Sequence, residues 1–254
     1  MEILLAQSLW PEPTDFFLCR KNIGCEYIFL HFLTPAILHF EEDVAVKPGG
    51  CVFFEPYSEQ YFSSPDVGLL HDWFHADEKL GKLLKKYGIE SRKVYYPQDS
   101  DEITKLITEI ELEHLKKNGY YHSAITAAVE KLLINLARTD NLSQSSYGID
   151  EDRRNELGNA RAKIHMEYAK NWTVEEMAKL VNLSPSRFYA VYKKVFGISP
   201  MHDLCNTRIQ RARILLGYGG YSVEQVAELT GYNNQYHFIR QFKQFTGVTP
   251  GKYK

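Results

Sequence analysis

The chain has 254 residues, room for two ordinary domains, and 44 % of them are apolar, enough to build a core in each. The formal net charge of −2 hides an asymmetry: residues 151–254 hold 16 Lys and Arg against 9 Asp and Glu, a balance of +7, and residues 1–150 hold 14 against 23, a balance of −9. That layout argues against indiscriminate coating of nucleic acid by the whole molecule and fits a basic nucleic-acid-binding half joined to a separate sensing half.

The opening MEILLAQSLWPEP has no basic segment ahead of its short apolar run, and no stretch reaches the length of a membrane span. A soluble cytoplasmic protein without a membrane partner is expected. Cys19, Cys25, Cys51 and Cys205 are scattered with no CxxC spacing, so they read as reduced thiols rather than a disulfide framework or a zinc site.

From Asp15 to about Phe74 the pattern is short strands. The stretches FFLCR, EYIFLHFL, AILHFEE, CVFFEPY and LLHDWFH are rich in aromatic and β-branched residues and are separated by Gly, Pro, Asp and Ser. Strands at 8–12-residue spacing predict a small β-barrel. Alternation places residues 71, 73 and 75 on one strand face. His71 and Trp73 there, with Tyr61 on the preceding strand, combine an aromatic platform with polar groups, as a small polar ligand requires. Trp73 can stack on a sugar ring while His71 and Tyr61 bond its hydroxyls; His31, on EYIFLHFL, is a further candidate. The alternative is that all four are core side chains with satisfied polar tips.

From Asp99 to Arg138 the period becomes helical. Ile103, Leu106, Ile107 and Ile110 make one stripe, and Ile125, Ala128, Val129, Leu132, Leu133 and Leu136 make another. These two helices either cover the barrel or pair between subunits; the residues leave both open. TDNLSQSSYG, Thr139 to Gly148, is polar and Ser/Asn-rich, as a flexible linker is. The expected organisation is therefore a sensing domain over 1–138, a linker over 139–149 and a helical domain over 150–254. The helical domain opens with a helix from about Arg153 to Lys170, packed through Leu157, Ile164 and Tyr168.

The rest of the chain repeats itself. TVEEMAKLVNLSPSRFYAVYKKVFGISP, Thr173 to Pro200, matches SVEQVAELTGYNNQYHFIRQFKQFTGVTP, Ser222 to Pro250, with one inserted residue. Each copy has the physics of a helix-turn-helix. Thr173 and Ser222 stand three residues before Glu176 and Gln225, the capping-box spacing. Ala178 and Ala227 let a second helix approach, and Asn182 or Gly231 supplies the turn. Ser184, or Asn233 and Asn234, then starts the second helix. On that helix Phe188, Tyr192 and Val195 share a face, as do Phe238, Phe242 and Phe245. The opposite face carries Ser186, Tyr189, Ala190 and Lys193 in one copy and Tyr236, Ile239, Arg240 and Lys243 in the other. An aromatic stripe backed by a polar, basic one suits a helix in a major groove. Leu204, Arg208, Ala212 and Leu215 predict one joining helix of about four turns.

Two such units, joined by R-I-x-x-A-x-x-L-L from Arg208 and closed by Gly231-Tyr232, Phe238, Phe242-Lys243, Gly247 and Pro250, resemble the AraC/XylS family of bacterial transcription regulators. The likeness covers roughly Asp150 to Lys254. Asn233-Asn234-Gln235 stands where the family often has D-x-S, and Asn182 replaces a common Gly. More weakly, Pro48-Gly49 with Phe53 and Pro56, followed by HDWFH, resembles the cupin-type sensor domain of such regulators. The resemblance implies an α+β protein, an N-terminal cupin-like barrel that holds a small-molecule effector, a homodimer contact through the helices after it, and RNA polymerase as a further partner. It implies no cofactor.

The expected activity is sequence-specific binding to double-stranded promoter DNA, as an activator or a repressor, controlled by a sugar or related polar metabolite. Lys193, Lys194, Arg208 and Lys243 are assigned to phosphates, Arg240 to direct base reading, and Ser186, Tyr189, Gln235 and Tyr236 to secondary reading. A regulator that works without a small ligand is the main alternative. A metal-dependent cupin enzyme with a DNA-binding tail is disfavoured, because no histidine lies between Gly50 and His71 to supply an H-x-H metal pair.

Overall fold

The computed structural model describes residues 1–65, 68–138 and 151–253. The expected linker, residues 139–149, lies outside the described residues. The chain divides into two units, Met1–Ile149 and Asp150–Lys254.

In the first unit, eight strands run β1 (Ile3–Glu12), β2 (Phe17–Arg20), β3 (Tyr27–Phe32), β4 (Ala36–His39), β5 (Asp43–Val46), β6 (Gly50–Phe54), β7 (Gln60–Ser63) and β8 (Leu69–Ala76). They form two four-stranded antiparallel sheets, ordered β1-β8-β3-β6 and β2-β7-β4-β5. The layout is cupin-like, but it is two sheets rather than the single closed barrel expected. One reason lies at Lys47-Pro48-Gly49. Proline has no N–H for a ladder and Gly49 takes φ 91°, so the chain leaves β5 in one sheet and enters β6 in the other.

Alternation gives each sheet its core face. Ile28, Leu30 and Phe32 of β3, Val52 and Phe54 of β6 and Leu69 of β8 pack with Leu38 and Phe62 of the second sheet. The other face of the first sheet presents Phe29, Phe53 and Phe74 to helices. Those helices are α1 (Leu80–Tyr87), α2 (Ser100–Lys116) and α3 (Tyr121–Ala137). Asp99 caps α2, its side chain accepting from the N–H groups of Asp101 and Glu102. The stripes on α2 and α3 are buried in this core, so both helices cover the sheet.

The second unit is all helix: α4 (Glu151–Met166), α5 (Val174–Lys179), α6 (Pro185–Phe196), α7 (Pro200–Tyr218), α8 (Val223–Leu229), α9 (Gln235–Thr246) and α10 (Pro250–Tyr253). It has two separate cores. The first gathers Leu157, Ile164, Met177, Phe188, Tyr192 and Leu204, with Tyr168 at its edge; the second gathers Ile209, Ala212, Leu216, Val226, Phe238 and Phe242. Helix α7, at 19 residues nearer five turns than four, contributes to both.

Candidate nucleic-acid interface

Each helix-turn-helix is built as its sequence dictates. Thr173 and Ser222 form capping boxes with Glu176 and Gln225. The tight turns need a left-handed residue, and Asn182 at φ 52° and Gly231 at φ 80° provide it. Ala178 and Ala227 are buried under the following helices. Asn234 caps α9, its side chain accepting from the N–H groups of Tyr236 and His237; Ser184 precedes α6, where Pro185 occupies the first turn.

Burial then fixes the outward faces. Phe188 and Tyr192 on α6, and Phe238 and Phe242 on α9, are fully enclosed. Ser186, Tyr189, Ala190, Lys193 and Lys194 are exposed on α6; Tyr236, Arg240 and Lys243 are exposed on α9, with Tyr236 at 83 %. Gln235 and Ile239 are half-buried, and Ile239 packs on the second core. Two further exposed groups complete the faces: Arg187 on α6 and His237 at the matching place on α9. Each follows an expected reader by one residue, so it lies about 100° round the helix, still on the solvent side.

Arg208 is a correction. It is 8 % exposed, and its guanidinium donates from Nε to the Tyr168 carbonyl and from Nη2 to the Lys170 carbonyl, both 2.8 Å. A group sealed on backbone carbonyls in the interior does not reach a phosphate.

Residues 177–254 match the family model described as a helix-turn-helix domain. This part of the chain is an AraC-type DNA-binding domain. An uncharacterised helix-turn-helix transcriptional regulator of Bacillus subtilis, YtdP, is 33 % identical over 91 residues, covering 36 % of this chain and 12 % of that one. The Msm operon regulatory protein of Streptococcus mutans is 23 % identical over 136 residues, 54 % of this chain and 46 % of that one. A probable AraC family regulator from Rhodopseudomonas palustris is 25 % identical with a TM-score of 0.36, covering 39 % of this chain and 94 % of that structure. The chain thus spans about half or less of the length of the first curated relatives it matches. The outward faces of α6 and α9 are the AraC-type domain's own, since both helices lie inside the matched residues.

In the first unit the expected ligand residues separate. His71 and Trp73 share the face of β8 turned to the second sheet, where His71 lies against Phe32 and Phe62 at ring distances of 6.5 and 6.0 Å. His71 is 3 % exposed, and among the described residues neither ring nitrogen has a hydrogen-bond partner; the Glu12 carboxylate stands 4.0 Å away. Burial lowers its pKa to about 4, with Asp72 acting the other way. Tyr61 is a correction: it neighbours the inward-facing Phe62, so alternation turns it to the opposite face of its sheet, opposite Cys19 of β2.

His31 is a second correction. It faces the helices, its Nδ1 2.8 Å from Asp72 Oδ2 and its Nε2 2.8 Å from Ser100 Oγ. Among the described residues no group of three or more His, Cys, Asp or Glu is placed to hold a metal, and no helix is long and apolar enough to cross a membrane.

Proposed function

We propose that the protein is a sequence-specific regulator of transcription that inserts α6 and α9 into successive major-groove segments of promoter DNA, about 34 Å apart. The observation that carries this reading is the pair of matching outward faces, each polar and basic, each backed by two fully buried aromatics. Lys193, Lys194 and Lys243 neutralise phosphates. Arg240 sits at the centre of the outer face of α9, where its fork matches the O6 and N7 of guanine. On α6 the same place is Ala190, which lets the backbone approach the groove floor and leaves reading to Ser186, Tyr189 and Arg187.

The first unit is proposed to sense a small polar effector, a sugar or a related metabolite, between the sheets beside His71 and Trp73. An imidazole sealed among aromatic rings, with neither nitrogen hydrogen-bonded among the described residues, is costly unless something completes it, and this supports the reading. Homodimerisation and contact with RNA polymerase belong to the same proposal, as does a cytoplasmic location.

The test is enrichment of bound duplexes from a randomised library with the full chain, then anisotropy titration of the winner over a salt series and against a panel of sugars and other metabolites. One enriched sequence with a steep salt slope supports the DNA reading, and a shift with one metabolite supports the sensing reading. Equal affinity for every duplex refutes the first. Specific binding that no metabolite moves favours a regulator without a small ligand.

A further inference from the structure

Among the described residues the two cores of the second unit share no buried residue, and an aromatic contact between their halves is that of His202 at the start of α7 with the half-buried Phe245 of α9, ring centres 5.0 Å apart. Helix α7 runs through both, but between Leu204 of the first core and Ile209 of the second its buried side chains are polar: Thr207 and Arg208, with Asp203 just before. The cores are therefore separated by a polar belt.

The turn after α4 crosses the belt as well. Helix α4 belongs to the first core through Leu157 and Ile164, and the turn after it carries Tyr168, Ala169 and Lys170. Carbonyls at a helix end lack intrahelical partners. Here Arg208 takes the carbonyls of Tyr168 and Lys170, while its guanidinium lies 5.5 Å from the ring centre of Tyr232 in the second core. The same turn abuts the second motif directly: a Cβ added at Gly231 would lie 2.6 Å from the Ala169 carbonyl oxygen.

The other end of the brace is anchored at Asp203. Its Oδ2 accepts from Arg161 Nε of α4 at 2.6 Å and from Tyr192 Oη of α6 at 2.6 Å, and His165 Nε2 of α4 lies 3.2 Å away; its Oδ1 accepts from Arg161 Nη2 at 3.1 Å. Tyr192 is on the inner face of the first recognition helix.

We propose that Arg208 and Asp203 are positioning residues for DNA reading: through α4 and its terminal turn they fix the interval and rotation between α6 and α9, and so the spacing of half-sites the protein accepts. The inference rests on the DNA-binding reading above. A charge-assisted, two-point bond to fixed carbonyls is directional, unlike apolar packing, and so resists a twist of α7 between the cores.

The experiment uses the full chain and the duplex enriched from the random library, remade with one or two base pairs inserted between its half-sites. Two inserted pairs rotate one half-site by about 70° against the other. Wild type is expected to lose about tenfold or more in affinity for the two-pair insertion. Arg208→Gln and the milder Tyr192→Phe are expected to bind the native spacing more weakly yet lose much less on insertion, with Arg208→Lys intermediate. Spin labels at Lys194 and Gln244, with Cys19, Cys25 and the half-buried Cys205 replaced by Ser, give a reading that needs no DNA: Arg208→Gln should broaden the distance distribution.

A uniform loss of affinity with wild-type spacing selectivity and an unchanged distance distribution would show Arg208 and Tyr192 as fold support only, and would overturn the proposal. Spacing-insensitive wild type would overturn it too. If no duplex is enriched, the DNA reading itself fails.

Discussion

His31 Nδ1 and Asp72 Oδ2 stand 2.8 Å apart on neighbouring strands β3 and β8, with both side chains sealed from solvent. The same carboxylate accepts from Thr104 Oγ1 of α2 at 2.6 Å and from the Leu9 N–H of β1 at 2.7 Å. Leu9 lies at φ 53°, a conformation a leucine adopts only under constraint, inside the bulge between Gln7 and Trp10. One buried carboxyl group thus ties two other strands and a helix to β8. Asp72→Ala is expected to cost about 3–5 kcal/mol by leaving His31, Thr104 and the Leu9 amide without their acceptor. Urea unfolding of the variant checks this, and a loss under about 1 kcal/mol would refute the network's role.

Gly231 yields a prediction in the second unit. Its φ of 80° and the 2.6 Å approach of the Ala169 carbonyl to any added Cβ act in the same direction. Gly231→Ala should cost about 2–4 kcal/mol, part from the left-handed backbone and part from overlap with a backbone that cannot rotate away. Gly197, also left-handed at φ 71° but with open space around its missing Cβ, is the control: Gly197→Ala should cost only about 1–2 kcal/mol. Equal losses at both positions, by thermal unfolding, would show the contact to be unimportant.

How much of this was legible in the sequence depends on which periodicity each residue obeyed. The repeat, both capping boxes and the two turn residues are local, and each is found where its spacing put it. Strand β1 gives no clear strand signal because its bulge breaks the alternation, and α1 gives none because eight residues with three lysines carry little pattern. The faces of His31 and Tyr61 are not legible, because facing depends on parity against a neighbouring strand, which one strand's composition does not reveal. Arg208 carried a signal that was available: it lies in the stripe Leu204, Arg208, Ala212, two members of which are fully buried. Its charge argued for the surface, whereas its phase correctly placed it inside. Arg187 is not marked by the periodicity, because only the exposed arc of α6, wider than the four residues opposite the aromatic stripe, includes it.

Arg240 and Lys243 lie three residues apart on the exposed side of α9 and should fail differently. Arg240→Ala is expected to cost about 1–3 kcal/mol on the preferred duplex and to relax preference at one base position, with little change in salt slope. Lys243→Ala should weaken binding to all sequences alike and lower the salt slope by about 1. Titrations on single-base variants across a salt series separate the two. If Arg240→Ala weakened every duplex equally, its assignment to base reading would be wrong.

His71 predicts an acid limit. Its folded pKa of about 4 lies below the ordinary histidine value of 6.5, so the folded state favours the neutral ring. The unfolded chain binds the extra proton between those values; stability is therefore full above about pH 6.5 and falls as pH drops toward 4, by up to about 3 kcal/mol. Desolvation causes the shift. Of the groups around the ring, Asp72 beside it in sequence acts to raise the pKa, the Glu12 carboxylate is 4.0 Å away, and Phe32 and Phe62 carry no charge. His75, held low by burial although it contacts Glu26, and His114 lose stability in the same direction, so the wild-type slope is a sum. His71→Phe keeps the ring among Phe32 and Phe62 and removes only the titrating nitrogens. Unfolding measured from pH 7 to pH 4 should show the variant losing less stability than wild type, with the difference concentrated below pH 6.5. Parallel curves would mean that His71 is already paired or protonated in the folded protein, and would remove the unpartnered imidazole on which the effector reading leans.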